Sequence, residues 1–566
     1  MSQNPSSKPQ FPMETIFYSV IILIGVGLRF ALLGHHPLND GEASLALQAL
    51  ALSRGEETVL SGEPGFLSLT TVSFFIFSHS EFWVRFWPAV FGACAILLPL
   101  LYRAQLGRIV SLVLAGFIAL DPVLIGVSRT ADGSSMALVG LLAGIGFFRL
   151  RKPSLAGISL GIALSGGQSI WLGLLLLAGV LVINHILPGA KTETYLGSAE
   201  KNKEIRKITV TAVITLTLLS TLFFINPIGI SAIGSSLAEY FASWGGISSD
   251  ELLAWLLIEF PILILAAWGM VDGFRRKDPR VRLLSTWWGL GLVLSILTAG
   301  DGVNQFLWIS IPILALAAIK ITELIRHLSI ENRTVFVAEA LLVVALTIFS
   351  FLNLLALVND VSVGSEETRN RIIGALLPII LLVILTGLLT WGWSVSSTRK
   401  GFIFGLLALI SFALLSNTWK AASLGNLPEQ ELASSWAYPT GRENLVKTIS
   451  DISRWNTGHD DRIDILLIGY DRSSLLWALR DFEDLRIETG FNPNQSASLI
   501  ITGVEQTIES SSSYRGQKFL WAIASDTEAM KLADWVKWVI FRRAPVEKTE
   551  LILWARNDLF AGSTTP

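Results

Sequence analysis

The chain has 566 residues, of which 52% are hydrophobic and 16% charged, against about 25% charged in an ordinary soluble domain. A mean hydropathy of +0.57 excludes a soluble globular enzyme, and a formal net charge of −2 offers nothing to a nucleic-acid partner. The composition is that of a polytopic helical membrane protein. Its 19 Trp and 30 Phe suit lipid-facing surfaces and interfacial belts. The single Cys94, in Ala93-Cys94-Ala95, forms no internal disulfide and reads as a small core residue.

The first ten residues are polar, carry only Lys8 and lack a small-residue cleavage site. Thr15 to Gly34 is therefore expected to be a retained membrane helix, since a span needs about 20 mostly apolar residues. Further apolar stretches follow at 86–102, 109–127, 135–149, 154–166, 169–187, 208–225, 252–271, 283–299, 304–320, 335–357, 371–393 and 401–419. That makes about thirteen candidate spans, with 135–149 and 154–166 short.

The connections alternate in charge. Arg103 and Arg108 follow the second stretch, and Arg149, Arg151 and Lys152 the fourth. The 188–207 loop carries five cations, and Arg275, Arg276, Lys277, Arg280 and Arg282 follow the eighth stretch. Lys320, Arg326 and Arg333 follow the tenth, and Arg399-Lys400 the twelfth. The positive-inside rule then puts the N-terminus in the cytoplasm and the tail outside a cytoplasmic (cell) membrane. The division expected is an N-terminal tail (1–14), a membrane domain (15–422) with a long first outer loop (35–85), and an extracytoplasmic domain (423–566).

Within loop 35–85, Glu42 to Ser53 reads as a helix along the membrane surface, and Phe66 to Phe77 as an interfacial or re-entrant one. Past 423 the apolar runs shrink to strand length at Ile463 to Ile468, Ser498 to Thr502, Lys518 to Ala522 and Leu551 to Trp554. Helical stretches at 472–482 and 527–541 lie between them, which predicts a small α/β domain. It holds no phosphate loop, zinc pattern or Ser-His-Asp set.

Three polar clusters fall in outer loops. Asp40-Gly41-Glu42 sets two carboxylates one glycine apart, a spacing suited to divalent metal binding or to taking a proton from a hydroxyl. Helix capping explains the same residues equally simply: Asp40 as the cap, Glu42 in the first turn. Ser128-Arg129-Thr130-Ala131-Asp132, preceded by Asp121-Pro122, sets a guanidinium beside an acid: Arg129 would hold a phosphate while Asp132 orients a metal or an acceptor, or the two pair with each other or with lipid headgroups. Asp301-Gly302-Val303-Asn304-Gln305 is a polar lining or a tight turn.

Leu38-Asn39-Asp40-Gly41-Glu42-Ala43, the Pro64-Gly65 segment, Phe82-Trp83-Val84-Arg85-Phe86-Trp87-Pro88 and Ser128-Arg129-Thr130-Ala131-Asp132, in this order, resemble the GT-C glycosyltransferases. The pattern is similar to the branch holding protein O-mannosyltransferases and lipid A aminoarabinose transferases, and its layout resembles prokaryotic "flippase activity-associated" proteins. The tail stretch Ser474 to Asp481 is similar to the outer domain of that group.

The resemblance implies a GT-C-like membrane domain and transfer of a sugar, with inversion, from a polyprenyl-phosphate donor to a protein, lipid or glycan acceptor. It implies Asp40 as catalytic base, Glu42 as the second acid of the signature, and Asp132 as the second-loop acid. Arg129, Arg85 and Gln305 would face the donor phosphate, Gln305 standing where related enzymes often place a cation. A divalent ion on Asp40 and Glu42 is admitted. Two other readings compete: a lipid or polysaccharide transporter, and an inactive scaffold binding glycan partners. The absence of an internal repeat and the gathering of acids at outer helix ends weigh against transport.

Overall fold

The computed structural model describes residues 13–56, 58, 60–186, 198–245, 249–298, 306–327, 329–359, 365–422, 424, 437–490, 497–506, 513–526, 529–541 and 544–563. The chain opens with α1 (Met13–Phe30), α2 (Asp40–Arg54), α3 (Pro64–Ile76) and α4 (Glu81–Ala95), then the short α5 (Leu98–Leu101) and α6 (Arg103–Leu106). Next come α7 (Arg108–Leu120), α8 (Pro122–Ser128), α9 (Ser134–Arg149), α10 (Pro153–Leu164), α11 (Ser169–Ile186), α12 (Ser198–Ser220) and α13 (Ser231–Ala242). The membrane domain closes with α14 (Ser249–Arg275), α15 (Pro279–Leu297), α16 (Leu307–Arg326), α17 (Arg333–Asn359), α18 (Ser365–Gly392) and α19 (Val395–Ala421).

Among the described residues eight helices are long and apolar enough to cross a membrane, or nine if α7 and α8 are one span bent by 56°. Every expected stretch falls on a helix, yet the count of spans is lower than about thirteen. Helices α9, α10 and α11 are shorter apolar helices. The 12 residues of α10 reach only about 18 Å at the α-helical rise. The first half of α12 is charged from Glu200 to Lys207, which leaves too short an apolar remainder. The bend between α7 and α8 has a local cause: Asp121 is extended, its Oδ1 accepts from Leu124 N at 2.7 Å, and Pro122 starts the new helix without needing an N–H partner.

Helix α16 is the centre of the bundle. Of its apolar stretch 72% is buried, against 11% for α17 and α18, which present apolar side chains outward as lipid-facing helices do. Trp255 of α14 stacks on Phe306 with centroids 5.5 Å apart, and its indole donates to Ser310 Oγ. Cys94, expected in the core, is exposed on the outside of α4.

The surface helices expected in the first loop exist, but they are roofed over. Ala43, Ala46, Ala49 and Leu50 of α2 pack on Phe66, Leu67 and Phe74 of α3, so both helices are core elements.

Beyond the bundle lie α20 (Arg442–Thr457), β1 (Ile465–Ile468), α21 (Ser473–Ala478), β2 (Leu485–Glu488), β3 (Leu499–Gly503), β4 (Tyr514–Ser525), α22 (Leu532–Phe541) and β5 (Val546–Arg556). They form one mixed sheet, ordered β2-β1-β3-β5-β4, with β1 parallel to β2 and β3, and β5 antiparallel to β3 and β4. The four expected strands are present; β2 and α20 were not read from the sequence. Leu445, Ile449 and Ile452 repeat at helical spacing on α20 and bury against Ile465, Leu467 and Leu499. Helix α22 departs from the sheet domain: Trp535 and Trp538 join the core of the membrane bundle.

The basic connections collect at one membrane face. Arg103 pairs with Glu14 at the start of α1, and Arg149 lies over the Tyr102 ring. Arg276 pairs with Glu323, and Lys400 donates to the backbone of Ser329. The sheet domain sits at the other face, over α2 and the start of α4. The chain is thus a polytopic helical membrane protein bearing an α/β domain on the face opposite its basic loops.

Candidate active site

Asn39, and not Asp40, caps α2. Its side chain accepts from Glu42 N at 2.9 Å, and Glu42 Oε2 accepts in return from Asn39 N at 3.2 Å. Glu42 also holds Arg85 of α4 through two bonds, Nε to Oε1 at 2.8 Å and Nη2 to Oε2 at 2.6 Å, and accepts from Ala131 N at 3.0 Å. Arg85 spends its remaining donors on the carbonyls of Leu33, His36 and Pro37. Both side chains are buried and saturated. This knot ties the first loop, α4 and the 129–133 turn together, and a buried pair made this completely fixes geometry because breaking it strands a charge.

Arg129 is used in a similar way. Its Nη1 donates to the carbonyls of Leu28, Arg29 and Ala31, the chain end of α1. Burial, then the nearby Arg85 charge, pulls its pKa down to about 10, which still leaves it charged at neutral pH. Asp132 lies one residue past Ala131. Its Oδ1 accepts from Ser134 N at 2.8 Å and its Oδ2 from Thr130 Oγ1 at 3.2 Å. Burial pushes its pKa up to about 7, against hydrogen bonds that lower it, and the Glu42 charge adds to the rise. The turn is held close to the α10 end, since a Cβ on Gly133 would lie 2.5 Å from Gly166 O.

Asp40 stands apart from this knot. It faces the sheet domain, where α21 begins with no side-chain cap of its own. Asp40 Oδ1 accepts from Ser474 N at 3.0 Å and Ser474 Oγ at 2.6 Å, and Oδ2 accepts from Arg472 Nη1 at 3.2 Å. Asp40 therefore caps a helix across the domain boundary. Its side chain keeps 18% exposure and that of Arg472 56%, so this is the open edge of the cluster. Beside it, Trp477 stacks on Phe74 and donates to Glu81 Oε1, and Arg442 pairs with Glu81 at 2.5 Å.

Asp40, Glu42, Arg85, Arg129 and Asp132 come together in space; Gln305 and the rest of the 301–305 cluster lie outside the described residues. Arg472 and Ser474 were missed as partners of Asp40, although Ser474 opens the tail stretch quoted for its resemblance. The carboxylates do not suit a divalent ion: Glu42 oxygens are taken by a guanidinium and two backbone N–H groups, and Asp40 oxygens by Ser474 and Arg472. Among the described residues no group of three or more His, Cys, Asp or Glu is placed to hold a metal. A further polar group lies within the bundle, where Asp121 and Glu259 interact near the guanidinium of Arg29. Arg29 donates to the carbonyls of Gly25, Ile118 and Ala119.

No protein-family model and no curated protein matches the chain. Among solved structures it is similar to ArnT from Cupriavidus metallidurans in the apo state, at 13% identity and a TM-score of 0.49, over 84% of this chain and 86% of that one. For the same protein bound to undecaprenyl phosphate the values are 12% and 0.48, over 87% and 93%. For an Archaeoglobus fulgidus oligosaccharyltransferase complexed with zinc and sulfate they are 14% and 0.39, over 83% and 62%.

Proposed function

We propose that this protein is a membrane glycosyltransferase that moves a sugar from a polyprenyl-phosphate donor to an acceptor hydroxyl on the outer side of the cell membrane, with the N-terminus in the cytoplasm. The observation that carries the reading is Asp40: a partly exposed carboxylate at the junction of the two domains, beside the exposed Arg472, resting on the Glu42–Arg85 knot. The motif resemblance supports the same assignment.

In this reading Asp40 takes the acceptor proton as the acceptor oxygen attacks the anomeric carbon. The bond from that carbon to the phosphate oxygen breaks, polyprenyl phosphate leaves, and in-line attack inverts the centre. Glu42 positions the loop. Arg85 and Arg129 act by building the floor of the site, and their charges lie under it. Arg472 is the guanidinium open to an incoming phosphate. Asp132, with its raised pKa, carries a proton over part of the working range and serves as a reserve acid or base. No step requires a divalent ion on Asp40 and Glu42.

The test is transfer of radiolabelled sugar from a panel of polyprenyl-phosphate sugars into protein, lipid and glycan acceptors by wild type and Asp40→Asn. Asparagine keeps an oxygen for Ser474, so the domain contact persists while the base is lost. Transfer by wild type that falls by ~100-fold or more in a folded variant supports the assignment. Equal activity shifts the base to Asp132, and no transfer by either protein favours the scaffold reading. One observation favours transport as a second reading: Arg29, Asp121 and Glu259 put ionisable groups inside the bundle, as proton-coupled carriers do. Uptake or flipping of a labelled lipid by reconstituted protein, abolished in Glu259→Gln, would establish it.

A further inference from the structure

At the far end of the bundle, between α14, α15 and α16 and beside the start of α7, lies a cavity of about 210 Å³. It is on the face opposite the candidate site: Leu106 lines it, next to the Arg103–Glu14 pair at the start of α1, whereas Arg129 holds the end of that helix. We propose that this cavity binds the phosphate headgroup of an anionic phospholipid.

The charges favour an anion. Four permanent cations, Arg276, Arg280, Lys320 and Arg326, face three carboxylates, and His327 stands at the rim. Three of the cations are paired: Lys320 with Asp272 and Glu323, Arg276 with Glu323, and Arg280 with Asp278. Among the described residues neither Arg326 nor His327 forms an ion pair, and both are exposed at the end of α16. Arg276 and Arg280 each keep further N–H donors, since a guanidinium has five.

The interior also has an unfilled partner. Thr322 is 2% exposed and lines the cavity, and among the described residues its hydroxyl has no hydrogen-bond partner. A buried hydroxyl without a partner costs free energy that a phosphate oxygen would recover. Lys320 is fixed over the Trp268 ring at 4.3 Å, so the floor of the cavity is rigid.

The setting selects a lipid over free phosphate. Val271, Phe274 and Ile325 are exposed on the same ends of α14 and α16, where acyl chains would run beside them. Basic pockets between membrane helices bind anionic headgroups by this combination of cations and adjoining apolar surface.

The experiment measures the thermal midpoint of the full-length protein in neutral detergent micelles doped with dioleoylphosphatidylglycerol or, at equal mole fraction, dioleoylphosphatidylcholine. A third arm adds inorganic phosphate to lipid-free micelles. The anionic lipid is expected to raise the midpoint by several degrees and the other two to leave it unchanged. In Arg326→Gln/His327→Gln the increment falls to about half or less, and in Thr322→Val it also shrinks, while the lipid-free midpoint of the first variant stays at the wild-type value. Arg151→Gln/Lys152→Gln, which removes charge elsewhere among the basic connections, keeps the full increment. Equal increments from both lipids, or a full increment in the Arg326/His327 variant, would overturn the proposal. An equal increment from inorganic phosphate alone would replace the lipid by a free anion.

Discussion

The two ends of α1 carry polar clusters of opposite kinds. At its last turn, Glu42 and Arg85 satisfy each other and five neighbouring backbone groups, and nothing is left to offer a ligand. At the far face, near its start, Arg326 and His327 have no carboxylate partner and Thr322 Oγ1 no hydrogen bond among the described residues. The first arrangement is architecture and the second has capacity to bind. The difference is one of saturation, since a buried group spends its directional bonding once. By the same measure Asp40 and Arg472, partly open to solvent, are the open edge beside an otherwise closed knot.

The largest test of that contrast is Arg85→Met. It leaves the Glu42 carboxylate buried without its partner and should cost ~3–5 kcal/mol, read as a large fall in thermal midpoint. Adding Glu42→Gln should recover part of the loss. A single variant as stable as wild type would mean that the knot is not architectural.

Next in size is a pH effect. The folded pKa of Asp132, about 7, lies above the ordinary carboxylate value near ~4. The folded state therefore holds the proton more tightly than the unfolded chain. This contribution is complete below about pH 4 and fades as pH rises towards about 7. Asp132→Asn should flatten the decline of the midpoint over that window, and an unchanged slope would refute the assignment.

A smaller change is expected from Arg472→Ala. The pair with Asp40 is half exposed on the arginine side and is worth under about 1 kcal/mol. The signature would be faster amide exchange confined to 470–478, with the global midpoint almost unmoved. Smallest of all, Arg326→Gln/His327→Gln without lipid should change stability by no more than about 0.5 kcal/mol, because both residues are exposed and, among the described residues, form no ion pair.

Much of the fold was legible because apolar length and periodicity are local properties. The long stretches at 252–271, 335–357, 371–393 and 401–419 became α14, α17, α18 and α19, and the runs near 465, 500, 520 and 552 became strands. The count of spans was less legible: α10 is as apolar as its neighbours and simply short. Strand β2 was hidden because Leu485–Glu488 is a partly exposed edge with two charges, and α20 because its apolar residues are few and widely spaced. Cys94 shows the same limit, since an apolar neighbourhood in a membrane helix does not distinguish core from lipid.

By itself, then, the sequence determined a helical membrane protein with a charged, strand-bearing tail, and through a motif resemblance it singled out Asp40, Glu42, Arg85, Arg129, Asp132 and Gln305 as candidate site residues. The membrane helices and strands were legible because hydrophobic patterning acts over a few residues. Only the tertiary structure decided the states of the carboxylates. Glu42 is saturated by Arg85, 43 positions along the chain, and Asp40 is held by Ser474, 434 positions away. Whether a carboxylate is a strut or is open to a substrate depends on which distant donors reach it, and no local pattern encodes that.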